Sequence, residues 1–124
     1  MAGLDRGTAS AAPPQPDPSP AASCVYTLTP PSKVTVSGTE MVTASLKPGP
    51  CTGDINPNTL TVCLELKGYA SPQCATHPTF DPVDVYFSPY RSGATYIATG
   101  LGCGNVFPTG DQSCSPVGPY ATTL

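Results

Sequence analysis

The residues of this chain that point most clearly to a particular chemistry are its cysteines. The 124 residues include six, at irregular spacing and without any Cys-x-x-Cys pair: Cys24, Cys51, Cys63, Cys74, Cys103 and Cys114. An even number of cysteines without metal-type spacing is typical of disulfides in an exported domain. The sequence therefore predicts three disulfides and a secreted or cell-envelope location.

The pairing of these cysteines is open, because six cysteines allow 15 connectivities. We favour Cys103 with Cys114, since this bridge would close the Gly-rich segment between them as a hairpin loop. Either Cys51 or Cys74 would be an easy partner for Cys63. These two alternatives stay open at the level of sequence.

The single histidine is the next candidate for chemistry. His77 is followed by Asp81 and Asp84, and these residue types occur in hydrolytic triads. No serine is marked as a nucleophile, since the chain lacks a Gly-x-Ser-x-Gly motif. One histidine with disulfide-bound cysteines also leaves too few ligands for a zinc site. We therefore expect no catalytic residue, no metal and no cofactor, and we interpret the protein as a non-enzyme.

A second polar group has the oxygen spacing of a calcium loop. Asp54, Asn56 and Asn58 alternate along the chain, and Glu65 follows further on. Thr59 stands where such a loop needs a glycine, and the residues after it read as a strand. We expect a turn of the Asx type that holds no metal.

Composition and charge restrict the partners. Eight acidic residues against five basic ones give a net charge of −3, and no basic stripe is present that could neutralise phosphates. No apolar run approaches the roughly 18 residues of a membrane span. We expect a protein or envelope component as the partner, with no nucleic acid and no membrane span.

The chain divides into a leader and one domain. Residues 1–23 are predicted to be a disordered leader, because residues 8–23 carry five prolines among alanines and serines and nothing that could anchor a core. Residues 24–124 are long enough for one modest core. This second part is the predicted domain.

Apolar and polar residues alternate along the domain with the period of a β-strand. The alternation is strongest over residues 59–67, and it recurs over residues 33–37, 41–46 and 83–87. In the first of these segments Cys63 falls on the polar face, so its partner is expected at an outer surface. Proline or glycine stands at nearly every junction, which leaves no room for an amphipathic helix of ten residues. The prediction is an all-β sandwich of about seven short strands.

Residues 92–100, SGATYIATG, resemble strand F of immunoglobulin-like domains. In that family a tyrosine two residues before the second core cysteine forms a corner with the upstream backbone. The resemblance gives Tyr96 this role, puts Ala98 in the cysteine position, and implies that Ala44 or Val42 faces it. The chain departs from antibody-type domains, because neither core position holds a cysteine and no tryptophan is present.

The resemblance also implies which loops meet at one end of the sandwich. The segment between the last two cysteines would lie beside the loop of residues 47–58. Loops on a rigid scaffold commonly carry recognition, so we interpret this end as the binding surface. An alternative is that Phe107 folds back as a plug over the end. The candidate binding residues are Val106, Phe107, Pro108, Asp54, Ile55 and Asn56.

Two other functions stay open. From Cys74 through FDPVDVYF to Cys103 the chain is similar to the reactive-loop region of the subtilisin inhibitors of soil bacteria, although it lacks their helical pattern. A secreted protease inhibitor would present the loop of residues 75–80, which Cys74 before it and Asp81-Pro82 after it would hold extended and stiff. The second alternative is a purely structural spacer. Tyr86 and Ile97 are predicted to face away from the core, where they would form a second apolar contact patch.

Overall fold

The computed structural model describes residues 22–78 and 81–124 of the chain. These residues form eight β-strands and no helix, which confirms the all-β prediction with one strand more than expected. The predicted leader lies outside the described residues as far as residue 21. The strands are β1 (Ser23–Leu28), β2 (Ser32–Val36), β3 (Thr39–Thr52), β4 (Ile55–Leu66), β5 (Gln73–His77), β6 (Val83–Phe87), β7 (Thr95–Val106) and β8 (Gln112–Thr123).

The first sheet is built around the long strand β3. It pairs antiparallel with β1 at one end, with β2 at the other, and with β6 over residues 42–46. Leu46 pairs with both β1 and β6, and Val42 pairs with both β2 and β6, so β6 occupies one edge of β3 and β1 and β2 share the other. Residues 29–31 interrupt the line that β1 and β2 form.

The second sheet has the antiparallel order β5-β4-β7-β8. Its strand β4 carries the alternation that the sequence predicts, with four inward apolar side chains that are buried: Leu60, Val62, Leu64 and Leu66. The inward face of β3 is equally apolar, because Val42, Ala44 and Leu46 are fully buried. The two apolar faces pack against each other and form the core.

Glycines of β7 allow the two sheets to approach closely. A Cβ atom on Gly102 would lie 2.3 Å from the Tyr26 ring of β1, and one on Gly100 would lie 3.0 Å from a methyl group of Leu46 on β3. The aromatic ring therefore rests directly on the backbone of the opposite sheet. Only glycine fits at residue 102 without moving that ring.

The three predicted disulfides are present, and each joins residues that face each other on neighbouring strands of one sheet. The bridges are Cys24–Cys51, Cys63–Cys74 and Cys103–Cys114. The favoured pair Cys103–Cys114 is confirmed, and Cys74 is the partner that Cys63 takes on the outer face. None of the three bridges connects the two sheets. Three disulfides are consistent with an oxidising, extracellular location.

Residues 47–58 differ from the prediction of a loop. Strand β3 continues to Thr52 and β4 begins at Ile55, so Gly53 and Asp54 alone form the turn. The prolines at 48, 50 and 57 favour a loop by sequence. In the structure β6 pairs with β3 only as far as Leu46, so beyond that residue this edge of β3 has no neighbouring strand among the described residues. Proline is tolerated in a strand where the edge on its N–H side has no neighbouring strand.

Candidate binding surface

The two segments predicted to form the binding end meet in the structure. The amide of Phe107 donates a hydrogen bond of 2.8 Å to the carbonyl oxygen of Asp54, and Ile55 pairs with Val106. The β3–β4 turn and the β7–β8 loop therefore form one continuous surface. We call this surface, residues 53–54 and 107–111, the apical end.

The β7–β8 loop is short and is tied to itself. The amide of Val106 donates to the carbonyl oxygen of Asp111 at 2.8 Å, and the amide of Gly110 donates to the carbonyl oxygen of Val106 at 2.7 Å. Gly110 has a φ of 78°, a left-handed conformation that favours glycine. The Cys103–Cys114 bridge clamps the two strands just below the loop. These contacts hold the loop in shape before any ligand binds.

Phe107 stands at the tip of this loop with 50% of its side chain exposed. It therefore does not close the end as a plug, whereas its neighbour Val106 packs against the core. Asp54, Asn56 and Pro108 are exposed around it. An apolar ring thus lies in a polar and acidic surround.

Ile55 is not part of this exposed surface. It is 7% exposed and belongs to the core, because the alternation of β4 turns it inward opposite Val106. Its prediction as a binding residue is wrong for this reason. The error follows from the prediction of a loop where β4 has in fact already begun.

A groove of about 470 Å³ opens beside the apical end, between β3 and β4. Strand β6 pairs with β3 only up to Leu46, and β5 pairs with β4 only from Leu60. Within the described part of the chain, residues 47–52 of β3 and residues 55–59 of β4 therefore have no neighbouring strand on the edge that faces the groove. The prolines in the walls lack N–H groups, which leaves an apolar surface with few donors. The residues that line the groove are Pro48, Gly49, Cys51, Asn56 and Pro57. Sequence reasoning missed it, because it depends on where two partner strands stop.

A second depression, of about 400 Å³, lies at the opposite end of β4 and β7. We call it the basal groove. Within it the guanidinium carbon of Arg91 lies 5.9 Å from the ring centroid of Tyr69, which is 58% exposed. The groove is lined by Leu66, Lys67, Tyr69, Arg91, Ser92, Gly93, Ala94 and Thr95. These residues are separated in sequence and are brought together by strand pairing, so no local pattern announces them.

Tyr96 anchors the segment that carries Arg91. Its buried hydroxyl accepts a hydrogen bond of 2.9 Å from the amide of Arg91 and donates one of 3.5 Å to the carbonyl oxygen of Pro89. Phe87 meets the Tyr96 ring edge-on, with centroids 5.7 Å apart. These bonds fix the backbone of residues 89–91, which leads into the basal groove.

The residues considered for catalysis and metal binding are spread over several strands and turns of the two sheets. His77 is exposed on β5 of the second sheet, and Asp84 lies on β6 of the first, where it accepts a hydrogen bond from the Ser45 hydroxyl. Asp54 and Glu65 lie near opposite ends of β4. Within residues 22–78 and 81–124, no group of three or more His, Cys, Asp or Glu side chains is placed to hold a metal ion.

Two further expectations change with the structure. Residues 75–77 belong to β5, so the first half of the segment 75–80 is a paired strand and not a free loop. Residues 79–80 lie outside the described residues. Tyr86 is 46% exposed on β6, but Ile97 lies on β7 of the other sheet. The two side chains therefore belong to different faces, and the single apolar patch that we predicted does not form.

Comparison with known proteins assigns the chain to no family. No family model, no curated protein and no solved structure matches it. No helix in the described part of the chain is long and apolar enough to cross a membrane. The geometry of the two ends is therefore the basis on which a function is argued.

Proposed function

We propose that the protein is a non-enzymatic binding module, secreted or attached to the cell envelope, with an immunoglobulin-like fold. Strands β1 and β2 share one edge of β3, so together they take the place of one interrupted strand. On this count the first, second and fifth strands form one sheet, and the third, fourth, sixth and seventh form the other. Immunoglobulin domains divide strands A, B, E and C, F, G in the same way. The two hydrogen bonds of the Tyr96 hydroxyl also support this fold.

The observation that carries the proposed function is the exposure of Phe107. A large apolar side chain is usually buried, and this one is half exposed on a loop fixed by a disulfide and by hydrogen bonds to Asp54 and Asp111. Aromatic anchors of this kind often dominate the energy of protein interfaces. Because the loop is already ordered, a partner would lose little conformational entropy on binding it.

The apical end favours a partner with an apolar pocket and a basic rim. Asp54 and Asp111 are both exposed, and each is joined through its backbone to the segment that carries Phe107. Two exposed carboxylates at this end would steer the approach of cationic groups and would help to orient the partner. A protein or envelope component with this chemistry is the proposed ligand.

The proposal is tested by partner capture with matched variants. The folded domain is immobilised and exposed to secreted and envelope fractions, in parallel with Phe107→Ala and Tyr86→Ala. The control residue Tyr86 is an aromatic of similar exposure on the outer face of the first sheet. We expect Phe107→Ala to weaken capture by about tenfold or more, as for an interface hot spot, and Tyr86→Ala to preserve it. Equal capture by the two variants would contradict the proposal.

The alternative functions gain no comparable observation. A protease inhibitor would present residues 75–80 as a rigid exposed loop, and half of that segment is instead paired with β4. A spacer needs no exposed aromatic ring at its tip. The binding module is therefore the function that the geometry supports best.

A further inference from the structure

The two ends of the molecule differ in the charged side chains that they expose. At the apical end Asp54 and Asp111 are exposed, and their backbone carbonyl oxygens accept hydrogen bonds from the amides of Phe107 and Val106. At the basal groove the cations are Lys67 and Arg91, and neither forms an ion pair with a carboxylate among the described residues. A nearby cation, Lys33, does not share this property, because Glu40 lies 3.3 Å from it.

The basal groove combines these cations with apolar surface. Leu66 and Ala94 contribute to its walls, and the exposed ring of Tyr69 stands beside Arg91. With a volume of about 400 Å³ the groove has room for an aromatic side chain. Aromatic rings pack favourably edge-on or offset against one another, and a guanidinium group adds to such a cluster.

The features of the two ends complement each other. One end projects an aromatic ring from a loop that is bonded to two exposed acidic residues, and the other offers an open groove of mixed polar and apolar lining with an aromatic ring and two cations. Each copy of this chain carries both an apical end and a basal groove. A second copy can therefore supply the surface that either end needs. The charges would add attraction and orientation at short range, where salt screens them least.

We propose that the apical end of one copy docks into the basal groove of the next, head to tail. Phe107 enters the groove beside Tyr69, while Asp54 and Asp111 meet Lys67 and Arg91. This inference rests on the proposed function in one respect, namely that the apical end is a binding surface. It goes further in identifying the partner as a second copy of the same chain.

The geometry of the strands determines what such contacts build. The ends are separated by the length of β4, about 35 Å at roughly 3.3 Å per residue, and they face in opposite directions along the strands. One molecule therefore cannot satisfy its own groove. A contact between two different surfaces repeats into an open chain unless its rotation closes a ring. Because each end is small, we expect a weak contact that is sensitive to salt.

The test uses two variants that each lose one half of the contact. The apical variant is Phe107→Ala with Asp111→Asn, and the basal variant is Lys67→Ala with Arg91→Ala, which keeps the Arg91 amide that binds Tyr96. Sedimentation equilibrium is measured for each protein up to about 1 mM, the range of weak contacts, at low and high ionic strength. Lys47→Ala, which removes an exposed cation on β3, is the control.

The expected result has four parts. The wild-type chain and Lys47→Ala grow beyond dimers as concentration rises, and added salt weakens this growth. Each half-blocked variant alone has an association constant lowered by about tenfold or more. An equimolar mixture of the two variants forms dimers and stops there, because one intact apical end meets one intact basal groove. Circular dichroism confirms that all variants are folded.

Two results would overturn the inference. A monomeric wild-type chain at every concentration would exclude the contact, and a mixture that behaves like its separate components would show that any association uses other surfaces. If the chain stays monomeric while capture of a different partner still depends on Phe107, the proposed function stands and only the head-to-tail contact fails. If self-association occurs and other capture fails, the apical end serves copies of this chain alone.

Discussion

Tyr26 of β1 packs closely against Gly102 of β7 on the opposite sheet. A Cβ atom at residue 102 would overlap the Tyr26 ring, with distances of 2.3–2.5 Å to three ring atoms. The ring is 6% exposed, and its hydroxyl has no hydrogen-bond partner among the described residues. Burial also raises the pKa of the Tyr26 hydroxyl. The side chain therefore contributes volume to the core, and its hydroxyl contributes no stability.

The first prediction concerns this hydroxyl. Because a buried polar group without a partner is unfavourable, Tyr26→Phe should raise the free energy of unfolding by about 1 kcal/mol. Tyr96→Phe is the matched control, since the Tyr96 hydroxyl makes two backbone hydrogen bonds, and it should lower that free energy by about 1–2 kcal/mol. Urea unfolding measures both. A lower free energy of unfolding for Tyr26→Phe than for the wild type would contradict the prediction.

The same hydroxyl predicts a pH dependence. The pKa of Tyr26 is raised in the folded state, so the unfolded chain releases this proton first as pH rises above about 10, the ordinary pKa of tyrosine. The unfolded state then binds fewer protons, and the stability of the wild-type domain falls with rising pH. The difference in stability between Tyr26→Phe and wild type should therefore widen above pH 10. A constant difference across this range would show that Tyr26 does not contribute.

At the scale of strands, the sequence is most informative where its signal is local. The two-residue period around Cys63 predicts both the buried face of β4 and the outward direction of that cysteine, because side chains alternate along any strand. The Cys103–Cys114 pair is predictable because a tight hairpin places its flanking residues opposite each other. The all-β class follows from the same period and from the many prolines.

Features that depend on distant partners are not predictable in this way. Residues 47–52 remain in a strand despite Pro48 and Pro50, because β1 pairs with one edge and the other edge has no strand beside it. Nothing local marks that difference between the edges. The basal groove requires Tyr69 to meet Arg91, and only the register of β4 with β7 brings them together. The exposure of Phe107 likewise depends on how its loop is tied to Asp54.

A third prediction separates stability from binding at the apical hairpin. Cys103→Ala with Cys114→Ala should lower the free energy of unfolding by about 3 kcal/mol and should also weaken binding through Phe107, because the loop gains conformational freedom. Cys63→Ala with Cys74→Ala removes a bridge of the same sequence separation, 11 residues, from the same sheet. Urea unfolding and the capture assay measure the two effects.

Comparing the variant that lacks Cys103–Cys114 with the variant that lacks Cys63–Cys74 separates an effect on stability from an effect on binding. Both pairs should lose similar stability, since the chain-entropy effect depends on the length of the closed segment. The binding loss should appear only for the pair that clamps the β7–β8 loop. If both pairs bind with unchanged affinity, the bridge does not preorganise the apical end.

At the scale of the whole molecule, the bridges and the core have separate tasks. Each disulfide joins neighbouring strands of one sheet, so the two sheets are held together by apolar packing of β1, β3 and β6 against β4 and β7. A core of this size stabilises a domain only modestly, and total stabilities are typically about 5–15 kcal/mol. The disulfides act on the unfolded chain, because they lower its conformational entropy and thereby favour the folded state.

The final prediction concerns reduction of the whole domain. With closed segments of 27, 11 and 11 residues, the three bridges together contribute about 9 kcal/mol in the chain-entropy model, which is comparable with the entire stability of such a domain. Protein that is unfolded in urea, reduced, alkylated and returned to buffer should therefore lack native circular dichroism and amide dispersion in NMR spectra. The same protein carried through without reductant should refold. A reduced chain that regains the native spectrum would show that the apolar core is sufficient, and the domain would then not depend on an oxidising compartment.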